Sequence, residues 1–172
     1  MKRRDLFKAA AMTATGVALG SLSDINTTFA KEVIKMTKEQ FSTVFPMGAK
    51  NDAYAKYFVG QSYLNMLSLD QVVIGNVTFE PGCRNNWHIH HADKGGGQIL
   101  LVTGGRGYYQ EWGKPARELH AGDVVNIPAG VKHWHGAAPT SWFAHLAIEV
   151  PGENTKSEWC EPVDAEEYNK LK

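Results

Sequence analysis

Three histidines fall within four positions in the stretch WHIHHADKGGGQ, residues 87–98. His88 and His90 are two apart. On a strand such positions share a face, so one ring nitrogen from each can meet at a single ion. Gln98 opens the apolar run QILLV and can bring an amide oxygen beside that pair from an antiparallel neighbour. His133 stands just past Pro-Ala-Gly, at the start of a further strand. N and O donors without a thiolate suit Mn, Fe, Ni or Zn. His91 competes with Gln98 for the fourth place. If the strand continues, however, it points to the face opposite His90.

Other histidines could move protons. On SWFAHLAIEV, Phe143, His145, Ala147 and Glu149 share one face, while Trp142, Ala144, Leu146 and Ile148 share the other. The second set is wholly apolar, so the first is expected to face the cavity. His145 is then a candidate general base, and His135, with the parity of His133, is the second. Glu149 lies further along the strand and is expected at the mouth of the pocket. Trp87, Trp112, Trp134 and Trp159 are expected in core or interface.

Such convergence requires strands that face one interior. From Gln71 onward the chain supplies them. QVVIGNVTFEPG, QILLVTGGRGYYQEWG, RELHAGDVVNIPAG and SWFAHLAIEVPG are β-branched or aromatic runs cut by Gly and Pro turns. Short strands at this spacing predict an all-β sandwich or barrel. Upstream, a short helix is expected near residues 38–44 and an extended piece near 57–64. Near the C-terminus, Asp164 with Glu167 three positions on forms a capping box for a last short helix.

Gly82, five residues, His88-x-His90, a polar partner and Gly104-Gly105 resemble the first motif of the cupin family. Gly122, five residues, Pro128-x-Gly130, two residues and His133 resemble the second. The resemblance covers roughly residues 71–150. It implies a double-stranded β-helix, or jelly-roll barrel, with His88, His90, Gln98 and His133 as metal ligands. The organisation then reads as an export signal (1–30), an N-terminal extension (31–68), the barrel (69–163) and a C-terminal helix (164–172). TFEPG, GDVVNIP and KHWHGAAPTSWFAHLAI are most similar to small single-domain cupins that include bacterial manganese-dependent hydroxynitrile lyases. Related cupins also accompany carboxymuconolactone-decarboxylase-like proteins. The likeness implies one divalent ion, manganese before Fe, Ni or Zn, and a pocket lined by Gly75 and Val77, to which the strand parity above adds Phe143 and Glu149. It also implies a homodimer.

The usual cupin carries Glu where Gln98 stands. Three imidazoles and an amide are all neutral, so they leave a divalent ion its full charge. That favours Lewis-acid stabilisation of a developing anion over oxygen activation. The expected function is therefore a lyase-like reaction on a small carbonyl-derived substrate, with cyanohydrin cleavage as nearest chemistry. A non-catalytic ligand- or metal-binding cupin and a metal-dependent oxygenase are the alternatives.

Composition narrows the partners. The 172 residues carry 18 Lys and Arg against 18 Asp and Glu, so no electrostatic case exists for nucleic acid or an acidic membrane surface. MKRRDLFKAAAMTATGVALGSLS sets four basic residues before an uncharged stretch too short to span a bilayer. Arg3-Arg4 followed by Leu6 and Phe7 resembles a twin-arginine signal. Cleavage is expected near Ala30, which gives a periplasmic or extracellular protein of net charge −2 with no membrane segment in its mature form. Cys83 and Cys160 are expected to be structural, and their spacing leaves open whether they pair.

Overall fold

Alternating apolar and polar runs, stopped by glycine and proline, fold as antiparallel strands that curl round one interior. The structure is a computed structural model that describes residues 36–172, so the expected export signal lies outside the described residues. The main strands are β1 (Ser62–Ser68), β2 (Ile74–Phe79), β3 (His88–His91), β4 (Gln98–Glu111), β5 (Arg117–His120), β6 (Val124–Ile127), β7 (Lys132–Ala137), β8 (Phe143–Glu149) and β9 (Lys156–Trp159). In one sheet β1 pairs with β2, β2 with β8, and β8 with the first half of β4, which also pairs with β6. In the other, the second half of β4 pairs with β5 and β7, β7 with β3, and β3 with β9.

The long strand β4 thus passes from one sheet into the other. Gly104 and Gly105 mark the crossing. Gly105 has φ +73°, and a Cβ there would lie 1.9 Å from the Trp142 carbonyl oxygen. Only glycine accepts both the left-handed backbone and that close approach. Behind the crossing the interior is filled by Phe79, Leu100, Leu119 and Phe143, all fully buried. The opposite end of the barrel is open and forms the pocket described below.

The jelly-roll barrel and its short C-terminal helix are present. In α1 (Ala165–Asn169), Asp164 Oδ1 accepts from the Glu167 amide at 2.9 Å, which caps the helix N-terminus. Two local expectations are corrected. The segment 38–44 is a turn followed by irregular chain, and among the described residues the short helix upstream of the barrel is a 3₁₀ helix at Asp52–Tyr57. The segment is committed to covering the sheet: Phe41 stacks on Trp142, Trp142 Nε1 donates to the Met36 carbonyl, and Asn76 Nδ2 donates to the Pro46 carbonyl. The barrel boundary also moves upstream of residue 69. β1 belongs to the sheet, and Phe58–Val59 pairs with Arg84–Asn85. HADKGGG forms an ordered ribbon. Lys94–Gly95 pairs with Gly152–Glu153, and the three glycines supply the positive φ angles it needs.

Cys83 and Cys160 are both free thiols. Among the described residues no helix is long and apolar enough to cross a membrane.

Candidate metal centre

The pleat of β3 places His88 and His90 inside the barrel and leaves Ile89 and His91 half-buried. His133 on β7 stands directly across from His88, with ring centroids 4.1 Å apart. His88 and His90 rings are 5.2 Å apart, and those of His90 and His133 5.5 Å. One ligand nitrogen from each of the three lies within 4.8 Å of the others. Gln98 is buried too, but it does not lie on a strand beside β3. It pairs with Ile127 and Glu149 in the opposite sheet. Gln98 shares a pocket with His88 and His90 from the opposite sheet because β4 has not yet crossed at its first residue.

Hydrogen bonds fix which atoms turn inward. His88 Nδ1 donates to the Asn86 carbonyl and His133 Nδ1 to the Val131 carbonyl, each at 2.9 Å. A carbonyl only accepts, so the proton sits on Nδ1 and each Nε2 keeps its lone pair. His90 Nδ1 lies 3.3 Å from Glu149 Oε2 and 3.2 Å from Ser157 Oγ. Gln98 Nε2 donates to Glu149 Oε1 at 2.7 Å. Because that carboxylate accepts and does not donate, the amide nitrogen must face it and Gln98 Oε1 must face away. His90 Nε2, His133 Nε2 and Gln98 Oε1 are all buried without a hydrogen-bond partner. Orphaned polar atoms of this kind cost about 1–3 kcal/mol each. Several lone pairs left free in one buried cluster fit a cation.

Burial also keeps His88 and His133 neutral, as ligands must be. It pushes His133 down to about 4 and His88 well below its usual range. Burial alone would raise the Glu149 carboxyl, but the hydrogen bonds from His90 and Gln98 prevail and hold it below the usual range.

Deeper in the barrel is a second polar chain. His145 Nε2 and His135 Nδ1 are 3.0 Å apart. Asn85 Nδ2 lies 3.1 Å from His135 Nε2, and Asn85 Oδ1 accepts from the His135 amide at 2.9 Å. His145 is fully buried, and burial depresses it to about 4; His135 is held well below the usual range by burial and by the neighbouring His145. His135 lines the pocket, whereas His145 reaches it only through His135.

That pocket has a volume of about 650 Å³ and contains His88, His90 and Gln98 in its wall. Gly75, Val77 and Glu149 also line it; Phe143 does not. Phe143 shares the inward parity of His145 but sits nearer the closed end, where it packs against Phe79. His91 reaches the rim and bonds Glu158 at 2.7 Å. Two contributors escape the sequence reading, and a third, Trp159, is expected in core or interface but reaches the pocket. Asn85 holds His135, Ser157 holds His90, and Trp159 lines the pocket and stacks on His88 at 4.8 Å. Ser157 and Trp159 sit on β9, opposite His90 and His88 in register. No motif marks them, although the alternation of KSEW was a usable strand signal.

Comparisons with known proteins agree with this fold. Residues 75–146 match the Cupin domain model. The chain is 46% identical over 95 residues to an (R)-mandelonitrile lyase from Granulicella tundricola, an overlap of 55% of this chain and 70% of that protein. A crystal structure of a cupin-like protein from Thermotoga maritima superposes with a TM-score of 0.65 at 41% identity, covering 76% of this chain and 97% of that one. This chain belongs to the cupin family.

Proposed function

We propose that the protein is a metal-dependent cupin enzyme that cleaves a small carbonyl-derived substrate, with cyanohydrin cleavage as the nearest chemistry. The observation that carries this reading is the convergence of the His88, His90 and His133 nitrogens beside an open pocket. Likeness to a mandelonitrile lyase supports the reaction class. His88, His90, Gln98 and His133 would hold one divalent ion, with manganese preferred. The ion would supply Lewis-acid polarisation of a substrate oxygen or nitrile.

The chain's own groups handle the proton. His135 is neutral and lines the pocket. A hydroxyl proton accepted at His135 Nε2, in place of the Asn85 Nδ2 hydrogen bond 3.1 Å away, is balanced by passing the Nδ1 proton to His145 Nε2, 3.0 Å away. Loss of that proton lets the carbonyl form while the C–C bonding pair leaves with cyanide, which takes the proton back from His135 Nε2 as His145 returns the other to Nδ1. Val77 and Gly75 give the pocket an apolar wall.

The test is metal analysis of the purified protein, followed by turnover of cyanohydrins with and without oxygen. Cyanide release at equal rates in both is expected. Oxygen consumption would indicate an oxygenase, and binding without turnover a non-catalytic cupin. We further propose a homodimer and export by the twin-arginine route to the periplasm or beyond. Leu101 and Val124, paired neighbours on the outer face of the first sheet, are exposed and apolar and suit a second copy. Sedimentation reads the first proposal. Trapping of an Arg3→Lys, Arg4→Lys double variant inside the cell reads the second.

A further inference from the structure

We infer that Glu149 is the positioning residue that makes Gln98 and His90 usable as metal donors. Its carboxylate also returns, one hydrogen bond away, the negative charge that a glutamate ligand would bring. The inference rests on the ligand set proposed above. Each Glu149 oxygen has its own partner: Oε1 accepts from Gln98 Nε2 at 2.7 Å, and Oε2 faces His90 Nδ1 at 3.3 Å. The donor atom at the far end of each partner, Gln98 Oε1 and His90 Nε2, is buried and unpartnered. One anion that accepts twice therefore sets two polarities at once. It turns the amide oxygen inward, and it places the imidazole proton on Nδ1 so that the Nε2 lone pair is free.

The consequence for substitution is specific. An amide at position 149 offers one acceptor and one donor. If its oxygen accepts from His90, its NH2 faces Gln98, and Gln98 must flip to present its own NH2 to the ion. If its NH2 faces His90 instead, the imidazole proton moves to Nε2 and the ligand lone pair is lost. Ser157 Oγ, 3.2 Å from His90 Nδ1, can hold the ring but does nothing for Gln98. The reciprocal pair Gln98→Glu with Glu149→Gln removes the conflict. The amide now at position 149 accepts from His90 through its oxygen and donates through its NH2 to the carboxylate now at position 98, with net charge unchanged.

The experiment uses metal-stripped full chain and Co²⁺ alone as probe, titrated by its visible absorption. Glu149→Gln is expected to weaken Co²⁺ binding about 10- to 100-fold, the usual cost of losing a partner of a metal ligand, and to shift the d–d spectrum. The double exchange is expected to recover most of the affinity. Binding by Glu149→Gln within about twofold of wild type, with a superimposable spectrum, would overturn the inference. So would a double exchange no tighter than the single variant, since the loss would then be general damage. Should Glu149→Gln not fold, the nitrogen shifts of His90 in the wild-type metal-free protein decide instead: a proton on Nδ1 is expected, and one on Nε2 overturns it. No substrate enters these measurements, so a failure to find lyase turnover would refute the proposed reaction while leaving this inference standing.

Discussion

The two halves of the histidine cluster are held by different means. His88 and His133 are tied to main-chain carbonyls two residues back, Asn86 and Val131. His90 and Gln98 are tied to side chains, Glu149 and Ser157. A main-chain brace comes with the strand and cannot be lost by a single substitution. A side-chain brace can be altered without disturbing the barrel. The first half is thus a property of the fold, while the second is where this chain can tune charge and donor strength. The proposed donor set is neutral, as the sequence implies, but its surroundings are not. The carboxylate is displaced one hydrogen bond outward rather than dispensed with.

The largest expected effect lies in the main-chain-braced half. His88→Ala and His133→Ala should each lose stoichiometric metal, because no neighbouring group can supply the missing nitrogen. Metal per chain after purification measures this. Full metal content in either variant would break the comparison, since the half set by the fold would then be dispensable.

Acid should strain the metal-free barrel next. His133 and His145 fall from 6.5 to about 4 in the folded protein. Between those values the unfolded chain binds protons that the folded one refuses. Stability is therefore fully present above about pH 6.5 and drains away as pH falls toward 4. Each histidine contributes up to roughly 3 kcal/mol at the acid end, at 1.36 kcal/mol per pKa unit. His88 and His135 are depressed further and act in the same direction. Urea unfolding of the metal-free protein from pH 7 to pH 4 reads the slope. A flat profile would mean that these imidazoles are not buried as the structure has them.

What the sequence disclosed follows the same division. His88 and His90 share a face by strand parity, and His133 follows a Pro-x-Gly turn, so short-range patterns name all three. The Gln98–Glu149 pairing joins residues 51 positions apart and depends on where β4 crosses between sheets. Parity put Glu149 on the cavity side but could not say that both its oxygens would be taken. Asn85 was equally hidden, because its role appears only once β7 lies alongside the Arg84–Asn85 strand. The fold was legible from turn spacing and paired motifs. Its upstream limit was not, because β1 is recognisable as sheet only through its partner β2.

In the side-chain-braced half, Gln98→Glu now has a sharper expectation. It sets two carboxylates where an amide met a carboxylate at 2.7 Å. Two such groups share a proton until a cation arrives. Metal uptake by the variant should therefore release about one more proton than wild type, and affinity should rise steeply with pH. Turnover in any Lewis-acid reaction should fall by up to about 100-fold, equivalent to ~2.7 kcal/mol, as the added charge weakens stabilisation of an anionic transition state. Calorimetry in buffers of different ionisation heat counts the protons. An unchanged proton count would show that Gln98 and Glu149 are not in contact in solution.

The smallest effect belongs to His91, the rival for the fourth position. It faces away from His90 and pairs with Glu158 at the rim, where the two side chains are 34% and 56% exposed. Exposed pairs are worth about 0.2–1 kcal/mol and weaken with salt. His91→Ala should therefore lower stability by no more than that and leave metal per chain and metal affinity at the wild-type level. It would reach the ion only if β3 twisted enough to reverse its pleat, which would expel His90 from the cluster. Loss of metal from His91→Ala, together with retention in Gln98→Ala, would overturn the assignment of Gln98. Glu149 would then have His90 as the one donor that its carboxylate could position.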